Sequence, residues 1–300
     1  MTRRRAVALM VLVTLLWSIA GVVTRHLDAA RSFEVTFWRS LFNALALAIG
    51  LTVLRGPGLW SGLLRSGRVL WASSFCWAVM FTAFMVALTL TTVANVLVTM
   101  AIGPMMTALF SRIFLGQRLP LRTWLAILVA GAGIVWMFGA EAGNGASLLG
   151  SLVACAVPLA GAANWTLLQR VGESGADAPD MLPAVLIGSV ISALVTLPLA
   201  WPLQASAHDL RLLALLGTVQ LGLPCMLLVR LTRELPAAEI ALLALLEVLF
   251  GVAWAWLGAG ERLSASVVMG GTLVLGALIA NQALAVSRAW SGGGVKNRGA

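Results

Sequence analysis

The amino-acid sequence predicts an all-α integral membrane protein whose ten transmembrane helices form two inverted five-helix repeats. Three observations predict this fold class: an apolar composition, ten long apolar runs, and a similarity between the two halves of the chain. Of the 300 residues, 60% are hydrophobic and only 10% are charged, and the mean hydropathy is +0.97. Soluble domains carry about 25% charged residues, so most of this surface is expected to face lipid.

Ten apolar runs are long enough to cross a bilayer, because a spanning helix needs roughly 20 residues. The first five predicted helices cover residues 6–26, 33–54, 69–90, 93–114 and 121–138. The second five cover residues 147–168, 181–199, 210–231, 237–257 and 265–285. The first run follows three arginines, as in a signal peptide, but it is longer than the usual apolar segment of such peptides. We therefore expect it to be retained as the first helix.

Positively charged residues cluster in the short connections between the apolar runs. Of the twenty Lys and Arg residues, fifteen fall on the side of the membrane that holds the N-terminus, and Arg39 lies inside a helix. The four on the other side are Arg25, Arg31, Arg211 and Arg262. Because cytoplasmic loops carry the excess of positive charge, both termini are predicted to be cytoplasmic, in an inner (plasma) membrane. The formal charge of +9 therefore indicates membrane orientation, and no nucleic-acid partner is expected.

The two halves of the chain match at an offset of 144 residues. This shift aligns residues 116–119 (Gly-Gln-Arg-Leu) with residues 260–263 (Gly-Glu-Arg-Leu), and it superposes the predicted helix ends. The sequence thus predicts a first repeat over residues 1–145, a second over 146–290, and a disordered cytoplasmic tail over 291–300. Because five is odd, the second repeat must enter the membrane from the opposite side. Many secondary transporters have such inverted repeats, with a midplane site between the halves.

The chain resembles the EamA-type branch of the drug/metabolite transporter (DMT) superfamily. The resemblance covers residues 6–285 and rests on the ten-helix layout, Leu16-Trp17-Ser18, Gly103-Pro104 and the paired Gly-Gln/Glu-Arg-Leu hairpins. Within this branch the chain is most similar to YddG-type amino-acid exporters, which implies amino acids, aromatic or other apolar ones among them, as cargo. The family's proline is absent from the corresponding helix of the second half, where Val248 stands.

Three polar side chains are predicted to lie inside the membrane and are candidate substrate-binding residues. Glu247 falls near the centre of the ninth helix, where a charged side chain costs about 2.5 to 3.5 kcal/mol on insertion scales. It is interpreted as a proton-coupling or amine-binding carboxylate, or as a hydrogen-bonded group that holds helices together. Arg39 could bind a substrate carboxylate or extend its guanidinium to the outer headgroups. Asn43 lies one turn deeper, where its amide needs a partner.

The chain has 12 Trp and no Tyr, and most of the tryptophans lie near predicted helix ends, as in an interfacial aromatic belt. Trp17 and Trp77 lie deeper and are predicted either to contact an apolar, aromatic or cationic substrate or to pack against neighbouring helices. Asn164 and Trp165 lie near the end of the sixth helix. They are interpreted as part of an inner gate or of the belt.

Prolines and glycines within the predicted helices suggest where helices bend or approach closely. Pro104 and Pro158 would each free a backbone carbonyl, and they are interpreted as hinge or gate residues or as static kinks. Gly131 and Gly133 in the fifth helix are predicted to permit close helix packing.

The sequence contains none of the motifs expected of an enzyme or an ATP-driven pump. It has no phosphate-binding GxxxxGK[ST] loop, and its only lysine, Lys296, lies in the tail. There is no HExxH motif, His26 and His208 lie near loops, and the three cysteines are not spaced as metal ligands. We therefore expect no catalytic activity, no cofactor and no metal.

Three functional hypotheses follow from these observations. The leading one is a secondary exporter of small amphiphilic metabolites, chiefly amino acids, that works by alternating access at a midplane cavity. The second keeps the fold but assigns a multidrug or hydrophobic-cation cargo, held by Trp17, Trp77 and Glu247. The third is a passive channel or a non-transporting membrane scaffold. The expected partners are a small-molecule substrate and the lipid bilayer. Proton antiport, substrate exchange and facilitated diffusion all fit the sequence, and protons are a partner only in the first of these. The sequence does not indicate the oligomeric state.

Overall fold

The computed structural model describes residues 1–24, 26–30, 32–58, 60, 63, 67–91, 93–142, 147–175, 178–259 and 265–293. Within these ranges the regular elements are helices, and ten segments are long and apolar enough to span a membrane. This finding confirms the predicted all-α membrane fold. The ten spans are Arg3–Thr24, Phe33–Arg55, Arg68–Ala87, Asn95–Phe114, Leu121–Gly139, Leu148–Gly172, Leu182–Ala200, Ala207–Leu231, Ala237–Trp254 and Ala265–Leu284.

The helices that build these spans follow one another with short connections. In chain order they are α1 (Arg3–Ser18), α2 (Ala20–Thr24), α3 (Ser32–Arg55), α4 (Arg68–Leu90), α5 (Val93–Met100), α6 (Gly103–Phe114), α7 (Leu121–Ala142), α8 (Leu148–Gly172), α9 (Leu182–Ala200), α10 (Ala207–Leu215), a π-helix (Leu216–Gly222), α11 (Leu223–Leu231), α12 (Ala237–Ala244), α13 (Leu246–Ala259) and α14 (Ala265–Gly293).

Four spans that the sequence predicts as continuous helices are in fact interrupted. The first span breaks at Ile19, the fourth at residues 101–102 and the ninth at Leu245, while the eighth passes through the π-helix. Irregular backbone at membrane depth is tolerated where it is buried in protein. The apolar sequence runs through each break, so hydropathy alone gives no sign of it.

The prolines occupy helix starts more often than helix interiors. Pro104 and Pro183 stand in the first turn of α6 and α9, where a proline removes no intrahelical hydrogen bond. Pro224 stands in the first turn of α11, which follows the π-helix without a gap. This placement corrects the expectation that Pro104 lies inside a continuous helix. Pro158 and Pro198 do lie inside α8 and α9, and both helices remain continuous around them.

Small residues set the closest helix contacts. A Cβ on Gly133 of α7 would lie 2.7 Å from the carbonyl oxygen of Gly270 in α14, and a Cβ on Gly270 would lie 2.4 Å from that of Gly133. The predicted packing role of Gly133 is therefore confirmed. Gly131 makes no such contact, because its Cβ would be 4.0 Å from the nearest atom, the Ala101 carbonyl oxygen.

Polar contacts near the helix ends mark the two ends of the bundle. At one end, the Asp209 carboxylate accepts hydrogen bonds from the backbone N–H groups of Asp28, Ala29 and Ala30. At the other end, the Glu239 carboxylate accepts hydrogen bonds from Arg3 and Gln282. The start of the first span and the end of the tenth therefore lie at the same end of the bundle.

Part of the predicted tail is helical, because α14 continues to Gly293. The remainder, residues 294–300, lies outside the described residues, as do Arg25, Arg31 and the whole hairpin 260–263 with Arg262.

Candidate functional site

A cluster of polar side chains is buried where the first, second, eighth and ninth spans meet. It brings together four of the predicted site residues, Trp17, Arg39, Asn43 and Glu247. Arg39 is 5% exposed and Asn43 is fully buried, while Trp17 and Glu247 are partly buried. The buried thiol of Cys225 on α11 lies among them, since it contacts the Trp17 indole and lies close to both charged side chains.

Arg39 lies on the inward face of α3, with its guanidinium inside the protein. Its Nε atom is buried without a hydrogen-bond partner in the described part of the chain, and Glu247 supplies the opposite charge that acts on it. This burial does not fit the alternative in which the side chain extends to the headgroups. Because a buried charge is costly when it is unpaired, the guanidinium is suited to receive an anionic group of a substrate.

Glu247 is the second residue of α13, directly after the break at Leu245. The sequence predicts it ten residues into a continuous helix, but the break places it in a first helical turn instead. The first turn has free N–H groups and the positive end of the helix dipole, both of which stabilise a carboxylate. No hydrogen bond or ion pair within 4.0 Å holds Glu247 among the described residues, so no contact supports a helix-locking role.

Asn43 belongs to a row of small polar side chains between α3, α4 and α9. Its Nδ2 donates to the Ser189 hydroxyl at 2.7 Å. Ser192 Oγ accepts from the hydroxyls of Ser40 at 3.1 Å and Thr82 at 2.9 Å. Sequence reasoning missed these hydroxyl groups because single Ser and Thr residues in apolar helices carry no positional signal.

Trp77 lies beside this row in a second cluster, on the packed faces of α4 and α8. It is 1% exposed, its ring centroid lies 5.2 Å from that of Trp165 in an edge-on arrangement, and its indole N–H has no partner among the described residues. Trp165 is 8% exposed, which does not fit the belt interpretation. The adjacent Asn164 accepts a hydrogen bond from Ser73 at 2.6 Å.

The π-helix contributes a residue that sequence reasoning missed. Gln220 is 4% exposed, and its Nε2 donates to the Trp17 carbonyl at 3.0 Å. Its residue type could have identified it in the sequence. Gln220 is the only side-chain amide in the eighth predicted helix, and polar residues inside membrane helices are often functional. π-Helical turns also occur frequently at functional sites.

One candidate hinge residue, Pro158 in the sixth span, lies beside the break in the fourth span that precedes the other, Pro104. A Cβ on Gly103, the neighbour of Pro104, would lie 3.6 Å from the Cβ of Pro158. Pro158 therefore packs against the break between α5 and α6, and its role as a gate or hinge stays a prediction.

The described part of the chain contains no group of three or more His, Cys, Asp or Glu side chains that could hold a metal ion.

The ten apolar spans define a multi-pass membrane protein, and the Arg39 guanidinium and the Glu247 carboxylate lie between four of them without a direct ion pair between the two groups. The model of the EamA-like transporter family matches residues 4–139 and again residues 148–281. The chain therefore belongs to the EamA-like transporter family, whose members are membrane transporters and not enzymes.

Curated relatives and solved structures are similar to the chain along most of its length. The chain is 25% identical over 282 residues to the pseudopaline exporter CntI of Pseudomonas aeruginosa strain UCBPP-PA14, a match that covers 92% of this chain and 95% of the relative. CntI of strain PAO1 matches to the same extent. A protein crystal structure superposes with a TM-score of 0.79 at 19% identity, over 94% of this chain and 99% of that one, which confirms the fold.

Proposed function

We propose that the chain is a secondary exporter of the inner (plasma) membrane that carries small amphiphilic metabolites, with amino acids as the leading cargo. The observation that carries this proposal is the buried pair of unlike charges, Arg39 and Glu247, which interact electrostatically without a direct ion pair. The pair is neutral overall, and neither charged group is in a direct ion pair within the described part of the chain. A zwitterionic solute matches it, with a carboxylate for the guanidinium and an ammonium for the carboxylate.

The chemistry of each group supports this assignment. A guanidinium binds a carboxylate through two parallel hydrogen bonds, and Glu247 at the start of α13 presents a carboxylate to a positive group. Trp17 beside the pair offers an apolar surface to the rest of the solute. We place Asn43 at the edge of this site. We place Trp77 farther along the same surface, beyond Ser189, which binds Asn43.

Alternating access is proposed from the correspondence between the two halves. The family model matches each half separately, and α5 and α12 begin and end at positions related by the offset of 144 residues. The first helix of each half packs against the fourth span of the other half: α1 on α12 and α13, and α8 on α5 and α6. Inverted repeats that rock against one another around a midplane site would have this arrangement. The relatives named as exporters favour outward movement of the solute.

A hydrophobic-cation cargo is the second candidate, because Trp17 and Glu247 could together hold a cation. The neighbouring guanidinium of Arg39 disfavours it, since a cationic solute would face a like charge. The passive-channel alternative predicts flux that does not saturate.

Purified protein in liposomes, supplied with a panel of labelled amino acids with and without a pH gradient, tests the proposal. The expected result is saturable uptake of one or more amino acids and counterflow by the unlabelled compound. Stimulation by the gradient would identify proton coupling. Linear flux without counterflow would indicate a channel, and movement of cations alone would indicate the second candidate. The absence of any amino-acid movement across the panel would overturn the proposal.

A further inference from the structure

Two carbonyl oxygens of side-chain amides are buried at the contact between α3 and the π-helix without a hydrogen-bond partner among the residues that the structure describes. They are Asn43 Oδ1 and Gln220 Oε1, on side chains that are 0% and 4% exposed. Each unpartnered acceptor inside a protein costs free energy, and an acceptor in this state indicates that a hydrogen-bond donor from outside the chain belongs there.

The hydrogen bonds that these amides do make fix their orientations. The Ser189 hydroxyl donates its proton to the Val185 carbonyl at 2.8 Å, so toward Asn43 it can only accept, and the Asn43 amide must turn its NH₂ group to it. The Trp17 carbonyl likewise can only accept, so Gln220 must present its NH₂ group to Trp17. Both carbonyl oxygens therefore point away from these partners.

Local backbone geometry sets the surroundings of these two amides. Helix α1 ends at Ser18, and the Trp17 carbonyl there accepts hydrogen bonds from the Ile19 N–H and from Gln220 Nε2. A Cβ on Gly222 would lie 2.8 Å from Asn43 Oδ1, so only glycine fits there without displacing the amide. The π-helix thus packs closely against Asn43 at Gly222 and supplies Gln220 two residues earlier.

We propose that Asn43 Oδ1, Gln220 Oε1 and the Glu247 carboxylate form a subsite for the ammonium group of the solute. An ammonium group has three N–H donors, which matches the three acceptors. Asn43 lies one turn from Arg39 on α3, and Trp17 contacts Gln220 through its carbonyl and Cys225 through its indole. The two amides therefore lie on the same spans as Arg39 and Cys225. This inference rests on the proposed zwitterionic cargo and goes further, since it requires N–H donors in addition to positive charge.

The subsite predicts that the protein distinguishes an amino acid from its N,N,N-trimethyl derivative. Both compounds have the same charges, so Arg39 and Glu247 attract both. The trimethylated group has no N–H donor, and it leaves the two buried carbonyl oxygens unpaired. A site built to hydrogen-bond its ligand rejects an analogue that lacks the donor. We expect preference for the primary amine on the order of tenfold or more.

The test measures competition in liposomes against the best labelled amino acid of the panel. The competitors are the same amino acid, unlabelled, and its N,N,N-trimethyl derivative, and the readout is the ratio of their inhibition constants. Gln220→Met and, as a second variant, Asn43→Leu should each reduce the ratio to near one. Glu247→Gln should weaken both competitors and leave most of the ratio. Because unfolded protein lowers transport of both compounds equally, partial misfolding does not change the ratio.

Gln169→Met is the matched control. Gln169 is also a buried amide, but its Nε2 donates to Glu173 and its Oε1 accepts from the Ala237 N–H at 2.7 Å, so this variant should keep the wild-type ratio. Equal competition by both compounds in the wild type, with transport intact, would overturn the ammonium subsite and leave the proposed function standing. If tryptophan fluorescence detects no binding and no amino acid is transported, both proposals are wrong.

Discussion

The fourth and ninth spans occupy equivalent places in the two halves and share a backbone design, but they differ in charge. Each begins with an eight-residue helix, α5 or α12, that ends at a break before a second helix. After the break the fourth span has Gly103 and Pro104, and the ninth has Glu247 and Val248. The ninth span breaks without a proline, so a break at this place does not require one, and a carboxylate stands beside it instead.

The beginnings of these spans make corresponding contacts of different kinds. Asn95 in α5 donates to Ser151 of α8 at 2.7 Å. Glu239 in α12 accepts from Arg3 of α1 at 2.7 and 2.9 Å. In both cases the fourth span of one half is bound to the first helix of the other. A neutral contact therefore joins the halves at one end of the bundle and an ion pair joins them at the other, so the second half carries charges for which the first has neutral residues.

The largest expected effect concerns the inverted arrangement on which the comparison depends. In a background without Cys76, Cys155 and Cys225, Arg118→Cys should react with a membrane-impermeant thiol reagent only from the cytoplasmic side. Arg262→Cys should react only from the opposite side, because an odd number of spans separates them. Reaction of both from one side would show that the halves are parallel, and the correspondence between the two spans would then have no basis.

The next largest effect concerns the charge that distinguishes the ninth span. Glu247→Gln should lower kcat/KM for amino-acid transport roughly 10- to 100-fold, because a hydrogen bond to a charged group contributes about 1.5 to 3 kcal/mol. Initial rates over a range of substrate concentrations give this value. The control is Glu173→Gln, which changes an exposed carboxylate just beyond the sixth span and should transport normally. Unchanged transport by Glu247→Gln would remove the carboxylate from the site.

A smaller effect should distinguish the ion pair at one end of the bundle from the neutral contact at the other end. Arg3→Gln should lower the free energy of unfolding by about 1 kcal/mol or less at low salt, since the Arg3 side chain is 39% exposed and such pairs are weak. The loss should shrink at high salt, because screening already weakens the pair in the wild type. Asn95→Ala should show a loss that does not depend on salt. Thermal unfolding at two salt concentrations measures both losses. An identical salt response in the two variants would contradict the assignment of an ion pair to Arg3 and a neutral contact to Asn95.

The sequence was sufficient for the parts of the fold and site that depend on which residues tolerate lipid. Ten spans follow from hydropathy, and Arg39, Asn43 and Glu247 stand out because polar side chains are rare in apolar runs. Their placement in one cluster with Trp17 agrees with a site between the halves.

The remaining features depend on contacts between spans that are distant in the sequence. The break at Leu245 lies in an uninterrupted run of apolar residues, so nothing local marks the place where α13 begins. Trp165 packs against Trp77 of another span, and the orientation of Gln220 is set by the carbonyl of Trp17 in the first span. Such features require knowledge of which helices are neighbours.

The smallest expected effect is that of the proline itself. Pro104→Ala should preserve the break between α5 and α6, because α12 and α13 are separated at the corresponding place with Val248 there. Pro104 lies in the first turn of α6, where the missing N–H of proline costs no intrahelical hydrogen bond. Alanine therefore restores no bond, and the change in the free energy of unfolding should stay within about 1 kcal/mol. Transport, measured as initial uptake, should remain within about twofold of the wild type. A loss as large as that of Glu247→Gln would mean that the proline, and not packing against Pro158, holds the break in the first half.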